Sequence, residues 1–264
     1  MAFVLNIDRG SGEGHESRVY KDILPAEIPD DNAFVKIFNR IAPYMMIGER
    51  GADISYELFQ ITRYIARNRI PGDFVECGVW RGGSVMLTAL ALRHFGDAGR
   101  DLYLYDTFAG MTEPDEVDVV EDGVAAKPLW VAATGRGERL GFGGSVEEVR
   151  SNMLETGYAE DRLHFVAGDV MKTIPATLPG RIALLRLDTD WYRSTLHELR
   201  HMYDLVVPNG VVIIDDYGWC RGARQAADEF FAERAFKPLM HRIDESARVI
   251  VKPAASLKTT RKAR

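Results

Sequence analysis

The sequence predicts an α/β fold, a doubly wound and mainly parallel sheet within one large domain. Three observations carry this. Short apolar runs at DFVEC (73–77), DLYLY (101–105), RLHFV (162–166), RIALLRL (181–187) and GVVII (210–214) have the length and composition of buried strands. Segments with helical spacing or helix-start signals lie between them, so strand and helix alternate along the chain. At 264 residues the chain is long enough to cover both faces of such a sheet. Parallel strands joined by right-handed crossovers hold ligands beyond their carboxyl ends, so functional residues are expected just after each strand.

Each element follows in order. Residues 1–30 are rich in Gly, Ser, Pro and acids and read as an irregular arm. Residues 31–70 give two amphipathic helices: Phe34, Ile37, Phe38 and Ile41 mark the first, and Ile54, Leu58, Ile61 and Ile65 the second, with Gly48–Gly51 as a turn between them. From 71 to 253 the chain reads as the sheet domain. A helix follows the first strand over Ser84–Phe95; Ser145 with Glu148 and Thr195 with Glu198 open two more as capping boxes; Gly222–Arg234 supplies a fourth. Pro238–Arg242 and Ala247–Lys252 are separated by a turn too short for a crossover and are expected as an antiparallel hairpin. The connection 107–144, with Pro114, Pro128 and many glycines, is long enough to form a lid, the alternative being a surface insertion. Residues 254–264 read as a disordered tail.

Composition narrows the function classes. Lys and Arg total 33 against 39 Asp and Glu, a net charge of -6, and the basic residues cluster only in the tail at Lys258, Arg261, Lys262 and Arg264. Nucleic acid is therefore not an expected partner. No apolar run has the length of a membrane span and the N-terminus lacks a leader pattern, so no membrane partner and a cytoplasmic address are expected. The two cysteines, Cys77 and Cys220, are expected as reduced thiols.

The chemistry gathers at the strand ends. The first strand runs into Glu76-Cys77-Gly78-Val79-Trp80-Arg81-Gly82-Gly83-Ser84, a glycine turn at a helix start where a ligand can approach the backbone. Its E-x-G-x-x-x-G spacing differs from the dinucleotide pattern, and a carboxylate there suits a cationic amino acid group better than a pyrophosphate. Asp106 ends the second strand, where a carboxylate can accept from both ribose hydroxyls; Phe108 beside it can cover an adenine, and Asp169 after the third strand can accept from an adenine amino group. The fourth strand ends in Asp188-Thr189-Asp190-Trp191-Tyr192 and the fifth in Asp215-Asp216-Tyr217. Four carboxylates at adjacent strand ends need a counter-charge, and a hard divalent cation such as Mg²⁺, held by Asp188, Asp215 and Asp216, supplies one. Helix capping is the plain alternative for each acid taken singly. His197-Glu198-Leu199-Arg200-His201 fits the HExxH pattern of zinc proteases, but it lies on a crossover helix with Glu198 expected in a cap, so two histidines on a helix face are the preferred reading.

Taken together and in order, VECGVWRGGS, LYDTFAGM, LRLDTDWYRST and GVVIIDDYG resemble the macrocin O-methyltransferase family over roughly residues 40–252. The resemblance implies S-adenosyl-L-methionine as methyl donor, Mg²⁺, a homo-oligomer, and a seven-stranded sheet with an antiparallel last strand, the class I methyltransferase fold. It places Glu76, Gly78 and Ser84 on the donor's amino acid side, Asp106 at ribose, Asp169 at adenine, and Asp188, Asp215 and Asp216 at the metal. The acceptor it implies is a hydroxyl of a glycosylated small molecule. Catechol methyltransferases resemble this sheet too, but place a lysine base where this chain has Trp191, so Asp188 or Asp190 is expected to take the proton. A phenolic acceptor, with Trp191, Tyr192, Tyr217 and Trp219 as its wall, and a non-catalytic donor-binding or scaffold protein remain the alternatives.

Overall fold

A computed structural model describes residues 27–45, 49–120, 123–138, 143–234 and 237–254. The expected arm up to residue 26 and the tail from 255 lie outside the described residues. The strands are β1 (Asp73–Cys77), β2 (Leu102–Asp106), β3 (Val119–Val120), β4 (Val124–Ala125), β5 (Leu163–Ala167), β6 (Ile182–Leu187), β7 (Val206–Ile214), β8 (His241–Arg242) and β9 (Arg248–Val251). Seven of them form one sheet in the order β5-β2-β1-β6-β7-β9-β8, and β3 pairs with β4 as a separate ribbon. The first five in that order are parallel, while β9 runs antiparallel to both β7 and β8. The doubly wound expectation and its closing hairpin are both present.

Helices α1 (Glu27–Asp30), α2 (Asn32–Ile41), α3 (Glu49–Arg67) and α4 (Gly83–Phe95) come first in the chain. Helices α5 (Ala126–Gly135), α6 (Val146–Glu155), α7 (Val170–Thr173), α8 (Tyr192–Met202) and α9 (Arg221–Ala232) follow. Side chains alternate across a strand, and β1 shows the consequence: Phe74 enters a core shared with Phe34, Phe38, Leu58, Met86 and Val149, whereas Val75 and Cys77 enter one shared with Leu199, Met202, Phe230 and Phe231. Helices α2, α3, α4 and α6 thus cover one face and α8 and α9 the other. Each large side chain withdrawn from water contributes about 1.5–3 kcal/mol. The N-terminal helices are integral to the first core, since Phe34 and Ile41 are almost fully buried.

Three local expectations change. Strand β7 begins at Val206, not 210, with a register shift opposite Ile182/Leu184 and Asn209 at φ 65°. Gly51 lies in α3 instead of a turn. Thr195 and Glu198 do not cap α8: the helix starts at Tyr192, and both residues are buried inside it. The Ser145 cap holds, its side chain accepting from Glu148 N at 3.1 Å. Among the described residues, no helix is long and apolar enough to cross a membrane.

Candidate active site

The chain leaves β1 toward β2 on one side and returns through β6 on the other, so a crevice opens where the carboxyl ends of β1 and β6 lie side by side. The turn after β1 is built there. Gly78 (φ 84°) donates to Tyr105 O at 2.8 Å, and a Cβ on it would fall 1.8 Å from Asp188 O. Its glycine is therefore demanded by the chain's own β6 end, where the sequence suggested ligand approach. Gly82 (φ 90°) starts α4, and Gly83 has no room for a Cβ against Tyr44 O at 2.6 Å.

Asp106 ties this turn down. Its Oδ2 accepts from Val79 N at 2.7 Å and Trp80 N at 2.9 Å, and its Oδ1 from Phe108 N at 2.8 Å. The carboxylate remains half-buried at the crevice. Phe108 packs into the first core at 8% exposure instead of presenting an open ring face, and Asp169 caps α7 through Met171 N at 2.9 Å. Trp80 (φ 49°), Phe108 (φ 51°) and Asp190 (φ 63°) are non-glycine residues in the left-handed region. Such strain costs on the order of 1–3 kcal/mol per residue and is concentrated at functional sites.

A buried arginine governs the acid cluster. Arg186, 6% exposed within β6, reaches Glu76 Oε1 at 2.8 Å and Asp188 Oδ2 at 2.7 Å through Nη1, and Asp215 Oδ1 at 2.8 Å through Nη2. Ser84 Oγ donates to the same Glu76 oxygen at 2.7 Å. A metal is thus not the sole counter-charge that the clustered carboxylates called for, because Arg186 already neutralises some of the charge. It does not neutralise all of it. Glu76, Asp188, Asp190, Asp215 and Asp216 outnumber it, and Asp216 Oδ2 is buried with no hydrogen-bond partner among the described residues. One oxygen each from Asp188, Asp215 and Asp216 lies within 4.8 Å of the others. An all-oxygen set with an orphaned carboxylate oxygen fits a hard divalent cation.

Burial raises the pKa values of Glu76, Asp188, Asp190 and Asp216. Asp188 and Asp216 are pushed well above the ordinary range by burial and by neighbouring carboxylates, with Arg186 opposing the shift at Asp188. Asp190 rises to about 7, chiefly through burial, with the hydrogen bond to Asp216 opposing the rise.

The long 107–144 connection is anchored beside this cluster. Asp118, 1% exposed, accepts from Tyr192 N at 2.8 Å and Asp115 N at 2.7 Å, supplying the cap at the start of α8 that the Thr195 reading sought elsewhere. Gly222 in α9 makes room for it, as a Cβ there would sit 1.8 Å from Asp118 Oδ1. Trp191 is 4% exposed and donates Nε1–H to Thr112 O at 3.0 Å. The ring expected in an acceptor wall is instead a tether for the segment, whose described part carries the β3–β4 ribbon and α5.

Residues 39–252 match the family described as Macrocin-O-methyltransferase (TylF). The chain belongs to the macrocin O-methyltransferase family. Relatives include the 8-demethyl-8-(2,3-dimethoxy-alpha-L-rhamnosyl)-tetracenomycin-C 4'-O-methyltransferase of Streptomyces olivaceus, 36% identical over 58% of this chain and 57% of that one. The demethyldecarbamoylnovobiocin O-methyltransferase of Streptomyces niveus is 35% identical over 66% of this chain and 63% of its own length. The mycinamicin III 3''-O-methyltransferase of Micromonospora griseorubida is 31% identical over 62% of each. The matched region spans about three fifths of these relatives. Among solved structures, the O-methyltransferase NovP superposes with a TM-score of 0.67 at 29% identity, covering 78% of this chain and 82% of that one. The calicheamicin methyltransferase CalS11 shares the fold, with a TM-score of 0.54 at 17% identity over 92% of this chain and 99% of that one.

In this family member the residues read from sequence fall into two groups. Asp188, Asp190, Asp215 and Asp216 converge as expected. Glu76, Gly78, Ser84 and Asp106 surround the same crevice, with Glu76 Oε1, Gly78 N, Ser84 Oγ and both Asp106 carboxylate oxygens bonded within the protein. Two participants were missed. Arg186 was hidden inside an apolar strand, although a charge next to last in RIALLRL was itself a signal. Glu198 was assigned to a cap, yet it faces Thr189 with both carboxylate oxygens. The HExxH histidines are occupied otherwise: His197 Nε2 meets Ile174 O at 3.0 Å and His201 Nδ1 meets His197 O at 2.8 Å.

Proposed function

We propose that this chain transfers the methyl group of S-adenosylmethionine to a hydroxyl of a glycosylated small molecule, with a divalent cation at Asp188, Asp215 and Asp216. The observation that carries the reading is the meeting of two features in one crevice: the turn held by Asp106 and the acid cluster, in contact through Gly78 and Asp188. Glu76, Gly78, Ser84, Asp106, Phe108 and Asp169 are the donor-side residues of this proposal. S-adenosylmethionine supplies an electrophilic methyl on a sulfonium. Mg²⁺, when bound, supplies Lewis acidity that lowers the pKa of an acceptor hydroxyl.

The chain's own residues do the rest. Asp190 is the better proton acceptor of the two candidates, because Asp188 Oδ2 is engaged by Arg186 at 2.7 Å. Asp190 stands outside the proposed ligand set, and burial raises its carboxyl above the ordinary range, which makes it a stronger base than an exposed aspartate. In such a transfer the acceptor oxygen would take the methyl carbon as the carbon–sulfur bond leaves its electron pair on sulfur, and the Asp190 carboxylate would receive the hydroxyl proton. Charge balances: sulfonium and carboxylate give thioether and carboxylic acid. Asp118 and Trp191 fix the neighbouring segment, so the acceptor approaches a defined wall. Homo-oligomeric assembly and a cytoplasmic address belong to the same proposal.

Labelled donor incubated with cell extract, followed by mass spectrometry, identifies the acceptor. Exhaustive EDTA treatment is expected to abolish transfer and added Mg²⁺ to restore it; transfer that survives EDTA overturns the cation's role. Asp216→Asn is expected to lower turnover at least tenfold while leaving donor affinity, measured by calorimetry, within about twofold, a split that marks loss of a contact made in the transition state. A donor-binding protein that transfers no methyl to any component of the extract points to the scaffold alternative.

A further inference from the structure

Glu198 is a carboxyl in an expensive place. It is 0% exposed in α8, beside Leu199 of the second core, and its partner is the Thr189 hydroxyl, whose Oγ1 lies 3.0 Å from Oε1 and 3.1 Å from Oε2. A buried carboxyl with so little polar company is destabilising compared with an apolar residue, so its presence calls for a gain elsewhere. Thr189 is where that gain falls. It stands between Asp188 and Asp190, and its other end is also held: its carbonyl accepts from Trp191 N at 2.7 Å and from Ser194 Oγ at 3.3 Å. Between these two grips the chain turns sharply enough to place Asp190 at φ 63°. On the N-terminal side, Asp188 N donates to Cys77 O at 2.8 Å. Three successive residues of the site are thus fixed, and the hydroxyl end of the middle one is fixed by Glu198.

We infer that Glu198 is a positioning residue: its two-pronged contact with Thr189 Oγ1 holds the Asp188–Asp190 turn so that both flanking carboxylates face Asp216. The inference rests on the reading of Asp188 and Asp190 as working groups of the site. It gives a function to the glutamate of the HExxH stretch that has nothing to do with zinc, since Glu198 meets Thr189 while the histidines bond to backbone carbonyls.

The test uses the full chain and Mn²⁺ as the probe, with affinity read from loss of the free-ion paramagnetic resonance signal and S-adenosylmethionine affinity read by calorimetry. Partners behind metal ligands are typically worth about 10–100-fold in metal affinity. Glu198→Ala and Thr189→Val are each expected to weaken Mn²⁺ binding about tenfold or more while donor affinity stays within about twofold. The double variant is expected to be no weaker than the weaker single one, because both changes break the same contact. Glu198→Gln, which keeps the shape and a hydrogen bond, is expected to recover affinity to within about threefold of the parent. If Glu198→Ala fails to fold, Thr189→Val at a half-buried position carries the test alone. Parent-like Mn²⁺ affinity in Thr189→Val, or additive losses in the double variant, overturns the positioning role even when Asp188→Asn abolishes binding. A parent protein that binds no Mn²⁺ overturns the cation reading and the positioning role together.

Discussion

Replacing Arg186 with methionine tests what neutralises the acid cluster. Methionine matches the arginine stem as far as Nε, so the change removes the guanidinium carbon with its two amino groups while keeping the packing of the stem within β6. Three carboxylates, Glu76, Asp188 and Asp215, lose an ion contact of 2.7–2.8 Å. Removing one partner of a buried ion pair typically costs about 3–5 kcal/mol, because the buried Glu76 and the half-buried Asp188 and Asp215 are left without compensation. For a domain of this size each kcal/mol moves the thermal midpoint by about 2–4 °C, which gives a fall of about 6–20 °C. A cation site would respond in the opposite sense. With the arginine gone, Mg²⁺ becomes the main counter-charge, and a ligand at 100 times its dissociation constant stabilises by about 2.7 kcal/mol. Mg²⁺ should therefore recover about half to nine tenths of the loss and raise the midpoint of Arg186→Met by more than it raises the parent's. The assay is thermal unfolding by circular dichroism, each protein measured in EDTA and in Mg²⁺. A loss below about 1 kcal/mol in EDTA would refute the role of Arg186 as counter-ion, and equal Mg²⁺ increments would refute the shared electrostatics of arginine and metal.

Two further outcomes follow from individual contacts. Burial raises Glu198 from 4.5 to about 8; the folded state therefore holds a proton that the unfolded chain releases, so its contribution to stability is intact below about pH 4.5 and is lost as pH rises toward about 8. Glu198→Gln cannot ionise, so its stability relative to the parent should be greater at pH 8.5 than at pH 5, read from urea midpoints in EDTA; a constant difference between the two pH values would contradict the sign. Asp118→Ala removes the acceptor for Tyr192 N and Asp115 N, a loss of about 1 kcal/mol or more in capping alone. Trypsin should then cut after the exposed Arg136 faster than in the parent, with donor affinity unchanged; an unchanged cleavage rate would show that Asp118 does not anchor the segment.

Much of the site could be read along the chain because its acids follow apolar strands, and a parallel sheet delivers every strand end to one edge. That rule took Asp106, Asp188, Asp215 and Asp216 to the same crevice from sequence position alone. It could not say what those acids touch. Arg186 and Glu76 are 110 residues apart and meet only because β1 and β6 are neighbours in register. Glu198 was misread for the opposite reason: its closeness in sequence to Thr195 suggested a cap, while its actual partner, Thr189, lies on the loop before the helix and Asp118 caps that helix from 74 residues away. Trp191 likewise looked like an open aromatic wall until the structure closed it against Thr112. By itself the sequence determined the alternation of the main strands and helices, the doubly wound sheet and the edge at which function gathers, since these follow from apolar periodicity and the hand of the crossovers. Only the tertiary structure decided which charges are already neutralised and which carboxylate oxygens are left without a partner, because the energy of a buried charge depends on groups brought next to it by packing.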